Sequence, residues 1–301
     1  MTYASYDLHL HTCWSYDAVA PVEYYFRRAR ELKLRYIAIA EHFTMDSLPE
    51  ILEVAEKYPD VRFIPAAELT ATNSLGAMDM VCLGLPTKIP PYLAEVFDLF
   101  RQWQRDYSNA TALAMEKLGK DYSLETRMRL LRSYRPEHVL KSQGLTNLQN
   151  GIRRKYFLEQ GLIERDDQYG ELQERLRELA EFPSYPTASE VLPAVRQAGG
   201  IVILAHPTHY FQRDNLTRMD TLREELALDG IECAHDMIPP ELTPFYREYC
   251  VKHGLLSSAG SDSHADPADN PHGIGVQHEM ARHIGEDAWL EEILDRLGLE
   301  Q

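Results

Sequence analysis

Hydrophobic and polar positions along the chain fall into short apolar runs separated by amphipathic stretches. Residues 6–11 (Tyr6-Asp7-Leu8-His9-Leu10-His11) alternate with a period of two, which predicts a strand. The pattern over 22–34 is helical. Residues 36–40 are an unbroken apolar run and predict a buried strand, and 48–58 read as a helix. Two further strands are predicted over 61–67 and 80–85, joined by the turn-rich segment 70–77. That link is shorter than the dozen or so residues a parallel crossover needs, so an antiparallel hairpin is expected.

The rhythm then changes. Residues 92–182 contain no convincing strand, and 92–117 and 170–181 are rich in strong helix formers. Proline pairs and turns bracket this stretch on both sides. Alternation resumes with helices over 188–197, 222–228, 242–253 and 288–297 and strands over 200–205, 230–234 and 255–259. Repeated strand–helix units predict a parallel sheet or barrel. The division expected is a first barrel portion at 1–88, a helical insertion at 89–186 and a second barrel portion at 187–301.

Composition narrows the class. The 301 residues suffice for one barrel carrying an insertion. No run approaches the ~18 apolar residues of a membrane span, and the first residues lack a signal-peptide pattern, so a cytoplasmic protein is expected. The four cysteines form no CxxC pair and read as buried reduced thiols. A net charge of −16 disfavours long duplex nucleic acid, whose binding needs many Lys and Arg contacts. Against that trend, 127–155 holds eight Lys or Arg residues and a single acidic one, Glu137. The island reads either as a solvated helical face or as a trap for a small anion. Arg135, Arg153 and Arg154 are its candidate substrate contacts. His209, just beyond a strand end, is another.

The chemistry lies in where the predicted strands stop. The first ends on His9-Leu10-His11, the second on Glu41-His42, the third on Glu68. Later strands end on His206 and on His235-Asp236, and the last leads into Asp262-Ser263-His264. In barrels the C-terminal strand ends share one face, where active sites sit. One histidine at a strand end is ordinarily just a polar surface residue, but a series at successive strand ends is hard to attribute to chance. Buried unpaired carboxylates are costly, so their convergence implies cations. Imidazole and carboxylate without thiolate suit Zn, Mn or Fe, and a bridging carboxylate suits a two- or three-metal site. The sequence has no GxSxG elbow and no P-loop.

The segments His9-Leu10-His11-Thr12, Glu41-His42, Ala67-Glu68-Leu69, Ala205-His206-Pro207 and Gly260-Ser261-Asp262-Ser263-His264 resemble the ordered motifs of the PHP (polymerase and histidinol phosphatase) domain family. The resemblance implies a distorted (β/α)7 barrel with up to three divalent metals. It implies that His9, His11, Glu68 and Asp262 bind one metal, that Glu68 bridges to a second held also by His206, and that Asp17, His42 and His264 hold a third. Asp79 stands where the family often has histidine; across the expected hairpin it would lie beside Glu68 and complete the second site. Asp17 lies in Ser15-Tyr16-Asp17-Ala18 rather than the commoner Ser-Asp-Gly, and Glu41 replaces the usual aspartate. The helical insertion, with Phe157-Leu158-Glu159-Gln160-Gly161, resembles that of stand-alone nucleotide phosphoesterases.

The expectation is therefore an α/β hydrolase of the PHP barrel type with an inserted helical subdomain and two or three Mn, Fe or Zn ions. Metal-activated water would hydrolyse a small nucleotide-like phosphate: a nucleoside monophosphate, a 3',5'-bisphosphate or a short oligonucleotide. The alternatives are a phosphatase of a non-nucleotide metabolite such as histidinol phosphate, a non-catalytic metal-binding regulatory module, and a proofreading exonuclease module, which the acidic charge and the absence of a polymerase region disfavour.

Overall fold

The computed structural model describes residues 4–264 and 278–299. Strand β1 (Tyr6–Leu10) leads through helix α1 (Val22–Leu32) to β2 (Tyr36–His42), and α2 (Leu48–Lys57) leads to the two-residue β3 (Arg62–Phe63) and to β4 (Ala66–Asn73). The single strand expected over 61–67 is two strands. Pro65, which has no N–H to offer a ladder, separates them.

The hairpin of β4 and β5 (Gly76–Leu83) is antiparallel as expected but longer. Its ladder runs from Ala66↔Leu83 to Asn73↔Gly76, so 70–73 and 76–77 are strand, and Ser74-Leu75 alone make the turn. Asn73 Oδ1 accepts the Leu75 N–H at 2.7 Å, the local bond that lets asparagine reverse a chain. Glu68 is thus third in β4 rather than beyond a strand end, and Asp79 is fourth in β5 rather than at its start.

Five helices and a short 3-10 turn follow: α3 (Pro91–Lys117), α4 (Leu124–Arg132), α5 (Glu137–Gln143), α6 (Asn150–Glu159) and α7 (Tyr169–Leu179). At 27 residues α3 is about 40 Å long. Its first half packs Leu93, Phe97, Phe100 and Trp103 onto the barrel core, while Ala114 and Met115 join a separate core with Leu131, Leu148, Tyr156, Phe157, Leu172 and Leu176. The barrel resumes with α8 (Ala188–Gln197), β6 (Ile201–Leu204), α9 (Leu216–Glu225), β7 (Gly230–Ala234), α10 (Leu242–His253), β8 (Leu256–Ala259) and α11 (Asp287–Leu297). Helix α9 starts six residues before the expected 222. Asn215 caps it, accepting the Arg218 N–H.

The strand order is β1-β2-β4-β5-β6-β7-β8, with β5 antiparallel to both neighbours and the other pairings parallel. The ring nearly closes where the segment after β8 returns to β1: Asp262 N–H donates to His9 O at 2.8 Å, and His11 N–H to Ser263 O at 2.9 Å. The fold is a nearly closed seven-stranded α/β barrel. Among the described residues no helix is long and apolar enough to cross a membrane. All four cysteines are buried and unbridged.

Candidate metal centre

The period-two alternation of β1 sends His9 and His11 to the same side, and the other strands deliver their polar residues to the same end of the barrel. His9, His11, Glu68 and Asp262 offer side-chain atoms within 4.8 Å of one another, as do Glu68, Asp79 and His206, and as do His11, His42 and His264. Asp17, from the loop after β1, reaches His42 Nε2 at 3.3 Å and His264 Nε2 at 3.5 Å. The structure therefore brings all nine sequence-selected His, Asp and Glu residues into one contiguous cluster. Glu68 lies at its centre, 3.0–3.3 Å from nitrogens of His9, His11, His42 and His206.

Several of these atoms lack hydrogen-bond partners although they are buried: His9 Nε2, His11 Nε2, Asp17 Oδ1, His42 Nδ1 and Glu68 Oε2. Buried polar atoms are normally satisfied. Five orphans converging from four chain segments form a donor set for cations, and the mix of imidazole and carboxylate suits Zn, Mn or Fe.

The electrostatics point the same way. Burial alone would push the Glu68 carboxyl up, but His9 and His42 hold it well below the usual range. Asp262 is likewise held down against burial by His264 and His9. Conversely, burial would lower His9 and His42, but the surrounding carboxylates hold both well above the ordinary histidine value. Burial also works against charging His206, yet Glu68 and Asp79 raise it to about 9. The carboxylates thus gather positive charge, here as protons on imidazole.

The backbone is strained at the same place. His206 (φ 28°) and Asp262 (φ 54°) adopt left-handed conformations that side chains rarely take. Gly260 lets the chain close in behind His9: a Cβ there would stand 2.3 Å from His9 Cβ.

The four substrate candidates part company. Arg153, on α6, is buried with its guanidinium 5.0 Å from the Tyr107 ring, and lines a cleft of about 390 Å³ with Tyr16, Tyr107, Trp103 and Tyr185. Tyr16 connects this cleft to the cluster, its ring 5.2 Å from His42. His209 lines a second cleft, about 740 Å³, with His206 and Tyr210. Arg135 is directed inward. Its amino groups donate to Thr146 Oγ1 (2.8 Å) and to Trp14 O (3.0 Å), so it fixes the loop after β1. Arg154 pairs with Asp166 at 2.8 Å and lies over the Tyr169 ring, within the helical layer. The basic island is not one surface, because helical turns send neighbouring residues in different directions.

Three buried carboxylates stand behind the cluster. Glu41 accepts from Thr12 N (3.1 Å), Thr12 Oγ1 and Ser15 Oγ (2.5 Å), fixing the loop that carries Asp17. Asp7 accepts from Ser261 N (3.0 Å), Ser261 Oγ (2.6 Å) and Ala281 N (2.7 Å), fixing the segment that carries Asp262. Glu232 contacts His9. Sequence reasoning missed Asp7 and Glu232, and took His235 no further than its place at a strand end. The available signal was a charged residue inside an apolar strand.

A profile of the PHP domain matches residues 7–195, a span that includes His9, His11, Asp17, His42, Glu68 and Asp79. No curated protein sequence matches. Among solved structures, the chain is similar to a candidate metal-dependent phosphoesterase from Bifidobacterium adolescentis (23% identity, TM-score 0.71, covering 97% of this chain and 96% of that one). It is also similar to an amidohydrolase from Chromobacterium violaceum solved with bound sulfate and no metal (17% identity, TM-score 0.69, covering 97% of each chain). At these identities the likeness shows the barrel fold. With more than half of its length matched by the family profile, the chain belongs to the PHP domain family.

Proposed function

We propose that the chain is a metal-dependent phosphoesterase that hydrolyses a small nucleotide-like phosphate. The observation that carries this reading is the set of orphaned buried donor atoms converging on Glu68. His9, His11, Glu68 and Asp262 would hold one divalent cation. Glu68, Asp79 and His206 would hold a second, and Asp17, His42 and His264 a third. Such cations supply Lewis acidity toward phosphate oxygens and lower the pKa of an attacking water.

The helical layer at 89–186 would form the substrate-recognition unit. In the 390 Å³ cleft, the stacked rings of Trp103 and Tyr185 (4.2 Å apart) and the Arg153 guanidinium suit a base and an anionic group. The volume falls within the range of small-ligand sites. A small phosphate is also the class of nucleotide compatible with a net charge of −16.

The test is phosphate release by metal-stripped protein after Mn, Zn or Fe is added back. The substrates are nucleoside monophosphates, 3',5'-bisphosphates, short oligonucleotides and histidinol phosphate. Metal-dependent turnover favouring a nucleotide is expected. Preference for histidinol phosphate would transfer the site to metabolite chemistry. Tight metal binding with no turnover on any substrate would make the chain a regulatory module, and no metal binding would end the proposal.

A further inference from the structure

Glu232 sits in the middle of β7, flanked by Ile231 and Cys233, and is 2% exposed. A carboxylate at such a position needs partners. It has two, one from each flank of β7. Oε1 lies 3.2 Å from His9 Nδ1, and Oε2 accepts the backbone N–H of His206 at 2.7 Å.

Each contact has a consequence at the centre. An ionised carboxylate only accepts, so when His9 gives up one proton to a cation the proton it keeps resides on Nδ1. The lone pair is then on Nε2, the orphaned nitrogen that faces Glu68 Oε2 (3.3 Å) and Asp262 Oδ1 (3.5 Å). The second contact engages the amide of a residue whose φ of 28° is costly and which persists only when its surroundings impose it. That backbone directs the His206 ring to Glu68 Oε1 at 3.2 Å. The space for the His9 contact exists because residue 260 is glycine: a Cβ there would stand 2.9 Å from Glu232 Oε1.

We propose that Glu232 is a positioning residue that sets the His9 ring and the His206 backbone for two different metal subsites, and is not itself a ligand. The inference rests on the metal-centre reading above. Glu232 and His235 do lie close enough to His9 to form a three-residue cation group. The hydrogen bonds argue against that use. Both Glu232 oxygens already accept from N–H groups, and His235 Nδ1 accepts the Met237 N–H at 2.9 Å, which leaves the His235 proton on Nε2.

The experiment measures metal affinity directly, by titrating Zn or Mn into metal-stripped protein against a chromogenic chelator. In Glu232→Gln the single carbonyl oxygen can serve only one of the two donors. An affinity about 10–100-fold weaker is expected, the usual effect of losing a carboxylate behind a ligating histidine. The penalty should shrink when the substitution is made on a His9→Ala background, because part of it acts through that ring. A purely structural role would lower the melting temperature of the metal-free protein and leave the same penalty on both backgrounds. Should Glu232→Gln fail to fold, Glu232→Asp with and without His9→Ala gives the same comparison. A wild-type protein that binds no metal overturns the centre itself. A wild-type protein that binds metal alongside a Glu232→Gln variant within about threefold of it overturns the role of Glu232 alone.

Discussion

Replacing Glu68 with glutamine tests the centre at its most connected residue. The carboxylate is buried, and its two oxygens face four imidazoles at 3.0–3.3 Å. An amide keeps the volume but removes the negative charge and turns one oxygen into a donor. Breaking a buried charge pairing costs about 3–5 kcal/mol. If that loss falls on bound cations, it corresponds to roughly two to four orders of magnitude in affinity, at 1.4 kcal/mol per factor of ten. The fold has an escape that the cations lack: His9 and His42, held charged by the surrounding carboxylates, release protons and become neutral beside a neutral amide. The expected Glu68→Gln protein is therefore folded, poor in metal and nearly inactive. Metal content by mass spectrometry after add-back, a far-UV circular dichroism spectrum and phosphate release together make the assay. Wild-type metal content with wild-type turnover would refute Glu68 as the bridge.

In metal-free protein the charge pairing of His206 with its carboxylates should make a pH-dependent contribution to stability. His206 is raised to about 9 from 6.5, so its contribution is complete below about pH 6.5 and is lost as pH rises through 9, whereas Glu68 and Asp262 are held low and contribute above about pH 4.5. Calorimetry in chelator should find the stability difference between wild type and His206→Ala largest between about pH 4.5 and 6.5 and shrinking as pH rises through 9, and metal should remove that loss by displacing protons; a difference that grows from pH 6.5 to 9 without metal contradicts this. Arg153→Ala and His209→Ala should weaken a nucleotide substrate far more than p-nitrophenyl phosphate, while equal losses on both would assign them to the scissile phosphate. Asp7→Asn should cost about 1–3 kcal/mol by leaving a buried N–H unsatisfied, lowering the melting temperature by several degrees and weakening metal binding, through the segment that carries Asp262, by much less than Glu68→Gln does. Metal loss matching that of Glu68→Gln would instead make Asp7 part of the cation site.

The barrel was legible because most strands carry their own period and end on, or lead into, a chemically unusual residue. What the sequence hid follows from geometry at longer range. The 70–77 segment reads as a turn by composition, yet all of it but Ser74-Leu75 pairs as strand, because ladder bonds to the opposite strand outweigh the turn preference of its residues. Helices α4, α5 and α6 are short and separated by Pro136 and Gly144, so no long period announces them. The basic island reads as one patch only in one dimension. Folding turns Arg135 toward Trp14 O, pairs Arg154 with Asp166 and leaves Arg153 at the cleft. Glu232 and Asp7 were visible as charges inside apolar strands, but nothing in the spacing told which partners would satisfy them.

Those partners also separate two kinds of buried carboxylate that composition cannot tell apart. Asp7, Glu41 and Glu232 are met by backbone N–H, hydroxyl and imidazole donors fixed in the loops they hold. Glu68 and Asp17 each keep an oxygen with no hydrogen-bond partner, and each faces nitrogens that are themselves metal-type donors. The first kind fixes where the second kind points. A cation site in this barrel needs both: ligands left short of partners, so that a cation gains by binding, and satisfied carboxylates behind them, so that the ligands do not turn away to find partners of their own.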